Sequence, residues 1–197
     1  MVNGPRVLLV GGVEVVDVRH MFPTLGPAAR LREKALLAGV AIHHDGVIMP
    51  AGDRDYSGST LDEDLDRLAA IRQRGISQGW GGMPYHLVAS PNGRCFQVLD
   101  LSCFGAHVAG RNDELLGVSL MGNFTYSHPG DLQLCAAARG LLAIWGWSGR
   151  LLPFKGHREW ALPQSPTSCP GDTWWQWQSR LLVLTVAVAR LLFPEGK

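Results

Sequence analysis

Two short segments, far apart in the chain, carry the residue types from which a hydrolytic metal site is made. Ile42-His43-His44-Asp45-Gly46 offers two imidazoles and a carboxylate; Gly156-His157-Arg158 and Ser168-Cys169-Pro170-Gly171 offer a further imidazole and a thiol. Imidazole and thiolate both suit Zn²⁺, and a catalytic zinc takes three protein ligands and keeps one position for water. An ion held in that way acidifies water and polarises a carbonyl. His43 and His44 are consecutive, so on a strand they point to opposite faces and only one of them should be a ligand. Spacing alone leaves other readings open: Cys169 as a small buried hydrophobe or part of a turn, and His157 as a surface histidine.

The elements that must position these residues read as one α/β domain with a mixed sheet. Residues 7–10 and 13–18 are short strands around Gly11-Gly12, residues 28–37 have helical composition, and residues 39–43 form an apolar strand ending in the two histidines. Residues 50–59, rich in Gly, Asp and Ser, read as an exposed loop. Residues 60–74 are the clearest helix: Thr60 and Glu63 make a capping box, and Leu61, Leu65 and Leu68 share a face. Acidic residues crowd its first turn, Arg72 and Arg74 its last, and Gly75 suits the left-handed residue after the helix. Residues 85–90 and 94–99 flank Pro91-Asn92-Gly93 as a hairpin. Residues 117–121 form another strand, and residues 132–147 and 174–193 two further helices, with the Trp174-Trp175-Gln176-Trp177 cluster assigned to the core.

Bulk properties narrow the function. At 197 residues, 46% hydrophobic and 18% charged, the chain is an ordinary globular one, large enough for one well-buried core. A formal net charge of +1 without a basic run argues against nucleic-acid binding. The four cysteines contain no Cys-x-x-Cys pair and are expected as free thiols. Residues 181–189 are too short an apolar stretch to span a bilayer and read as a buried helix. The first residues hold no signal-peptide core, so synthesis in the cytoplasm is expected. No repeat or linker divides the chain; residues 1–197 are expected to be a single domain with no separate wall-binding module, and a monomer.

The order of short motifs goes further. His-His is followed by Gly-Trp-Gly-Gly-Met-Pro-Tyr-His-Leu-Val, Pro-Asn-Gly-Arg, Gly-Ala-His, Gly-Arg-Asn, Val-Ser-Leu-Met-Gly-Asn-Phe, Gly-His-Arg and Cys-Pro-Gly. From about residue 13 to residue 180 this order resembles the type-2 N-acetylmuramoyl-L-alanine amidases, a group that includes phage amidase endolysins and the peptidoglycan recognition proteins. The resemblance implies one catalytic Zn²⁺ at one face of the sheet, on His43, His157 and Cys169, with His43 chosen because the family's ligand is the first member of its His-His or His-Tyr pair. It implies that Tyr85 helps to position the water or the substrate carbonyl, and that Thr167 assists the tetrahedral intermediate. It places His107 and Asn112 along the substrate groove, where a neutral His107 offers one donor and one acceptor to a peptide stem. Trp80 could stack on sugars.

What the resemblance implies is hydrolysis of the amide between the lactyl group of N-acetylmuramic acid and L-alanine, in peptidoglycan or a muropeptide. A phage or prophage endolysin, acting on the wall after release, is the expected setting. A cytosolic muropeptide-recycling amidase, a non-catalytic peptidoglycan-binding module and a structural metal protein are the competing readings. A Cys-His peptidase fits poorly, because nothing activates a thiol at the Cys169-Pro170 turn. Two departures from the family pattern stand out. Asp45-Gly46 replaces the usual Thr-Ala, so that Asp45 is a candidate partner for a ligand imidazole, an additional base, or a loop-facing carboxylate. The twelve positions from His157 to Cys169 also suggest a prolonged loop, residues 160–166, over the site.

Overall fold

The apolar runs of the sequence assemble into one seven-stranded mixed sheet. The computed structural model describes residues 4–46 and 59–193. In chain order the strands are β1 (Arg6–Val10), β2 (Val13–Asp17), β3 (Gly39–His44), β4 (Leu87–Ala89), β5 (Cys95–Gln97), β6 (Leu115–Leu120) and β7 (Phe154–Gly156). Their spatial order is β1-β2-β5-β4-β6-β3-β7. Strand β3 runs parallel to both β6 and β7, which puts His43 in register with Ser119 and leaves β7 ending at Gly156, one residue before His157.

Alternation along the strands divides the core in two. Val40 and Ile42 of β3, with Leu116, Val118 and Leu120 of β6, face the helices α2 (Asp131–Ser148) and α4 (Trp174–Leu192). Val88 and Phe96 face the other way, onto Leu68 and Ile71 of α1 (Leu61–Ser77). The period of two sends His43 to the α1 side and His44 to the α2/α4 side. The capping box at the start of α1 is formed as expected: Glu63 N donates to Thr60 Oγ1 at 3.2 Å, and Thr60 N donates to Glu63 Oε2 at 2.7 Å. The hairpin over Pro91-Asn92-Gly93 is also formed, with β4 and β5 antiparallel.

Four expectations need correction. Residues 28–37 are not a helix but two single 3-10 turns, Gly26–Ala29 and Lys34–Leu36, and between them Leu31 makes an antiparallel bridge to Cys103. The long-range partner decides this: Arg32 N donates to Ser102 O, and the Arg32 guanidinium is drawn inward among backbone carbonyls. Gly75 does not end α1, which continues to Ser77; a Cβ at Gly75 would collide with the Gly82 carbonyl oxygen, so the glycine serves close backbone approach. Gly79, at φ +76°, is the first left-handed residue after the helix. Residues 181–189 are buried on one side only: Leu181 and Thr185 pack inward, whereas Leu182, Val183 and Val186 are exposed. In the tryptophan cluster Trp174 and Trp177 are core, but Trp175 is 59% exposed.

All four cysteines are free thiols. Among the described residues no helix is long and apolar enough to cross a membrane. The expected loop at 50–59 lies outside the described residues except for Ser59, which is buried and donates to Asp64 Oδ1 at 2.8 Å.

Candidate metal centre

His43, His157 and Cys169 converge at the ends of β3 and β7: one ligand atom from each lies within 4.8 Å of the others. His43 Nδ1 is 3.6 Å from Cys169 Sγ, and the His43 and His157 rings are 4.6 Å apart between centroids. His44 stays out of this cluster; its Nδ1 accepts a hydrogen bond from Phe124 N at 3.1 Å, which ties the loop after β6 to β3. Alternation along one strand therefore separates a ligand from a structural histidine.

Local structure holds each ligand in place. His157 opens α3 (His157–Trp160), and Glu159 Oε2 accepts from Gly156 N and from Trp174 Nε1, both at 2.7 Å, locking the turn in front of it. The cysteine loop is held from both sides: Arg158 N donates to Cys169 O at 2.8 Å, and Cys169 N donates to Thr167 Oγ1 at 3.1 Å. Burial pushes the His157 imidazole down to about 4, aided by His44, and holds His43 well below its ordinary value, with His157 and His107 adding to it. Both histidines are therefore neutral near pH 7, the state in which imidazole coordinates a metal. Burial pushes the Cys169 thiol up to about 12, a shift that a divalent cation beside the sulfur reverses. Two neutral imidazoles and a shielded sulfur within 4.8 Å of one another fit the donor set of a catalytic zinc.

The site opens into a cleft of about 410 Å³. Tyr85, Trp80, His107 and Thr167 all line it together with the three candidate ligands. The Tyr85 ring centroid is 5.0 Å from that of His43. Burial first, then the charges of Cys169 and Asp45, raise the Tyr85 hydroxyl above its ordinary value, so it holds its proton and acts as a donor. Thr167 Oγ1 uses a lone pair on Cys169 N and keeps its own O–H to give.

Asn112 and Asp45 depart from expectation, whereas His107 lies on the cleft as expected. Asn112 is not among the cleft-lining residues; its Oδ1 accepts from His107 N at 3.0 Å and Val108 N at 2.8 Å, so it shapes the loop that carries His107. His107 lines the cleft, but both its ring nitrogens are engaged within the protein, Nδ1 with His43 Nε2 at 3.1 Å and Nε2 with Leu115 O at 3.2 Å. Asp45 is not loop-facing: its carboxylate grips Arg67 of α1 through two bonds of 2.6 and 2.5 Å and accepts from Gly122 N at 3.0 Å. The segment 160–166 does not line the cleft, and Trp160 is anchored away from it by Nε1 donating to Val40 O at 3.0 Å.

The residues that sequence reading missed are Arg67, Glu159 and Arg32. Arg32 Nη1 donates to the carbonyls of Asn112 and Leu115, and its Nη2 to that of Leu101, so it fastens the loop behind His107. No local pattern signals Arg67 or Arg32, whose partners are brought close only by the fold, whereas Glu159 stands three residues after Gly156, at capping-box spacing.

Comparison with known proteins agrees with this geometry. Residues 36–172 match the family model described as N-acetylmuramoyl-L-alanine amidase. A human N-acetylmuramoyl-L-alanine amidase is 31% identical over 99 residues, which cover 49% of this chain but 16% of the human protein. The peptidoglycan-recognition protein SC2 of Drosophila melanogaster is 28% identical over 142 residues, 71% of each chain. Among solved structures, the endolysin amidase LysCS from Clostridium intestinale URNW superposes with a TM-score of 0.60 at 18% identity, over 85% of this chain and 95% of that one, a likeness of fold. The chain thus spans a small part of the human relative and most of the fly one. It belongs to the type-2 N-acetylmuramoyl-L-alanine amidase and peptidoglycan recognition protein family.

Proposed function

We propose that this chain is a zinc-dependent amidase that hydrolyses the bond between the lactyl group of N-acetylmuramic acid and L-alanine. The observation that carries the reading is the convergence of His43, His157 and Cys169, two imidazoles and a thiol, at the floor of a cleft. Relatives in this family that only bind peptidoglycan characteristically lack one of these ligands, and this chain has all three. When bound there, zinc supplies Lewis acidity toward the amide carbonyl and lowers the pKa of water.

The protein's own groups divide the remaining work. The Tyr85 hydroxyl, kept protonated by its burial, donates a hydrogen bond to the oxyanion that develops on the carbonyl oxygen. Thr167, with its O–H unused by the Cys169 loop, gives a second. Trp80 presents a flat, half-buried face on the cleft wall, suited to packing on a sugar ring. Asp45 takes no part in proton movement, because Arg67 and Gly122 N hold its carboxylate. Hydrolysis adds the elements of water across one C–N bond: hydroxyl to the lactyl carbonyl carbon, and a proton to the alanine nitrogen.

The test is mass spectrometry of products from purified peptidoglycan. The zinc-loaded protein is expected to release stem peptides with a free alanine amine and to leave intact glycan chains bearing new lactyl carboxylates. New reducing ends, or equal cleavage by chelator-treated protein, would overturn the reading. Within it, the setting we propose is wall lysis, as its fold likeness to an endolysin suggests. Clearing of intact sacculi supports that setting, and activity confined to soluble anhydro-muropeptides would assign the chain to recycling.

A further inference from the structure

We propose that His107 is a positioning residue that fixes the tautomer of His43, so that the unprotonated Nδ1 of His43 faces Cys169 and His157. The direction of the hydrogen bonds forces this. A carbonyl oxygen can only accept, so at 3.2 Å from Leu115 O it is His107 Nε2 that carries a proton. In a neutral imidazole the other nitrogen is then an acceptor, so His107 Nδ1 must receive its hydrogen bond from His43 Nε2–H at 3.1 Å. That leaves the lone pair of His43 on Nδ1, the atom 3.6 Å from Cys169 Sγ. A metal-binding imidazole needs such an orienting partner on its far nitrogen, and a histidine supplying it is an alternative to the usual carboxylate or carbonyl.

Two further features support the relay. Leu115 O also accepts from Arg32 Nη1 at 2.5 Å, and the Asn112 side chain holds the backbone N–H groups of His107 and Val108, so the acceptor and the backbone that carries the His107 ring are both anchored. Gly117 on β6 has ordinary strand geometry, yet a Cβ there would stand 3.0 Å from His107 Cγ and 3.1 Å from Nδ1. The strand gives up a side chain at the place where the His107 ring lies against it.

The inference rests on the zinc reading, and its test separates the two. Nitrogen-15 NMR of histidine-labelled, zinc-free protein reads the tautomer directly: His43 is expected to be protonated at Nε2 and bare at Nδ1. Zinc affinity by chelator competition is expected to fall about 10–100-fold in His107→Phe, with both His43 tautomers then populated. His107→Gln, whose amide can accept from His43 and donate to Leu115 O, should recover most of that affinity. Gly117→Ala, which presses on the ring without removing it, should weaken zinc in the same direction. A His43 protonated at Nδ1 in a wild-type protein that binds zinc would overturn the relay alone, as would a folded His107→Phe with unchanged affinity. A wild-type protein that takes up no zinc would overturn the metal reading itself.

Discussion

Asp45 is the residue at which the sequence departs from its family next to the metal ligands, and its partner makes a sharp prediction. Its side chain is 2% exposed and that of Arg67 8%, and the two are joined by bonds of 2.6 and 2.5 Å between the end of β3 and the middle of α1. Removing one member of such a pair leaves a buried charge uncompensated, a cost of about 3–5 kcal/mol. For a chain of this size each kcal/mol is worth about 2–4 °C in melting temperature, so Arg67→Met should melt roughly 6–20 °C lower. The double variant Asp45→Asn/Arg67→Met removes both charges and keeps an acceptor for Gly122 N, and it should recover most of the loss. Urea unfolding of the zinc-free proteins gives the comparison. A loss below about 1 kcal/mol for Arg67→Met would refute the lock. So would an Asp45→Asn protein that keeps its stability but loses all hydrolysis, since that pattern belongs to a base.

Two further outcomes follow from the site. In the proposed mechanism Tyr85→Phe removes one donor to the developing oxyanion, and it should lower kcat about 10²–10³-fold with zinc content unchanged; loss of zinc together with activity would make Tyr85 a structural support instead. The zinc-free protein should lose stability on acidification through its histidines. His157 is lowered from 6.5 to about 4, so the unfolded chain takes up its proton first, and the stabilisation present above pH 6.5 drains away as pH falls toward 4. Buried His107, lowered to about 3, extends the same loss further down. Stability that stays flat from pH 7 to pH 4 in urea titrations would contradict this.

What the sequence made legible was what local rules govern. The capping box of Thr60 and Glu63, the Pro91-Asn92-Gly93 hairpin and the period of two that splits His43 from His44 need only neighbours in the chain. Motif order then brought together His43, Tyr85, His157 and Cys169, which lie around one cleft. The failures share a cause. Residues 28–37 have helical composition, but Arg32 is captured by carbonyls 69 to 83 positions away, and that pull outweighs a weak propensity. Gly75 looks like a helix terminator until the Gly82 carbonyl is seen pressed against it. Asp45 beside a metal ligand suggests chemistry until Arg67, 22 positions on, occupies it. His107 offers a donor and an acceptor in sequence, and the fold uses both, one on a residue 64 positions earlier.

X-ray absorption at the zinc edge decides whether His43, His157 and Cys169 hold a zinc ion and leave one position open. The expected spectrum shows one zinc per chain with one sulfur at about 2.3 Å, two nitrogens at about 2.0–2.1 Å and a light-atom ligand that exchanges with added anions. A protein that retains no zinc, or a zinc saturated by four protein ligands with nothing to exchange, would contradict it.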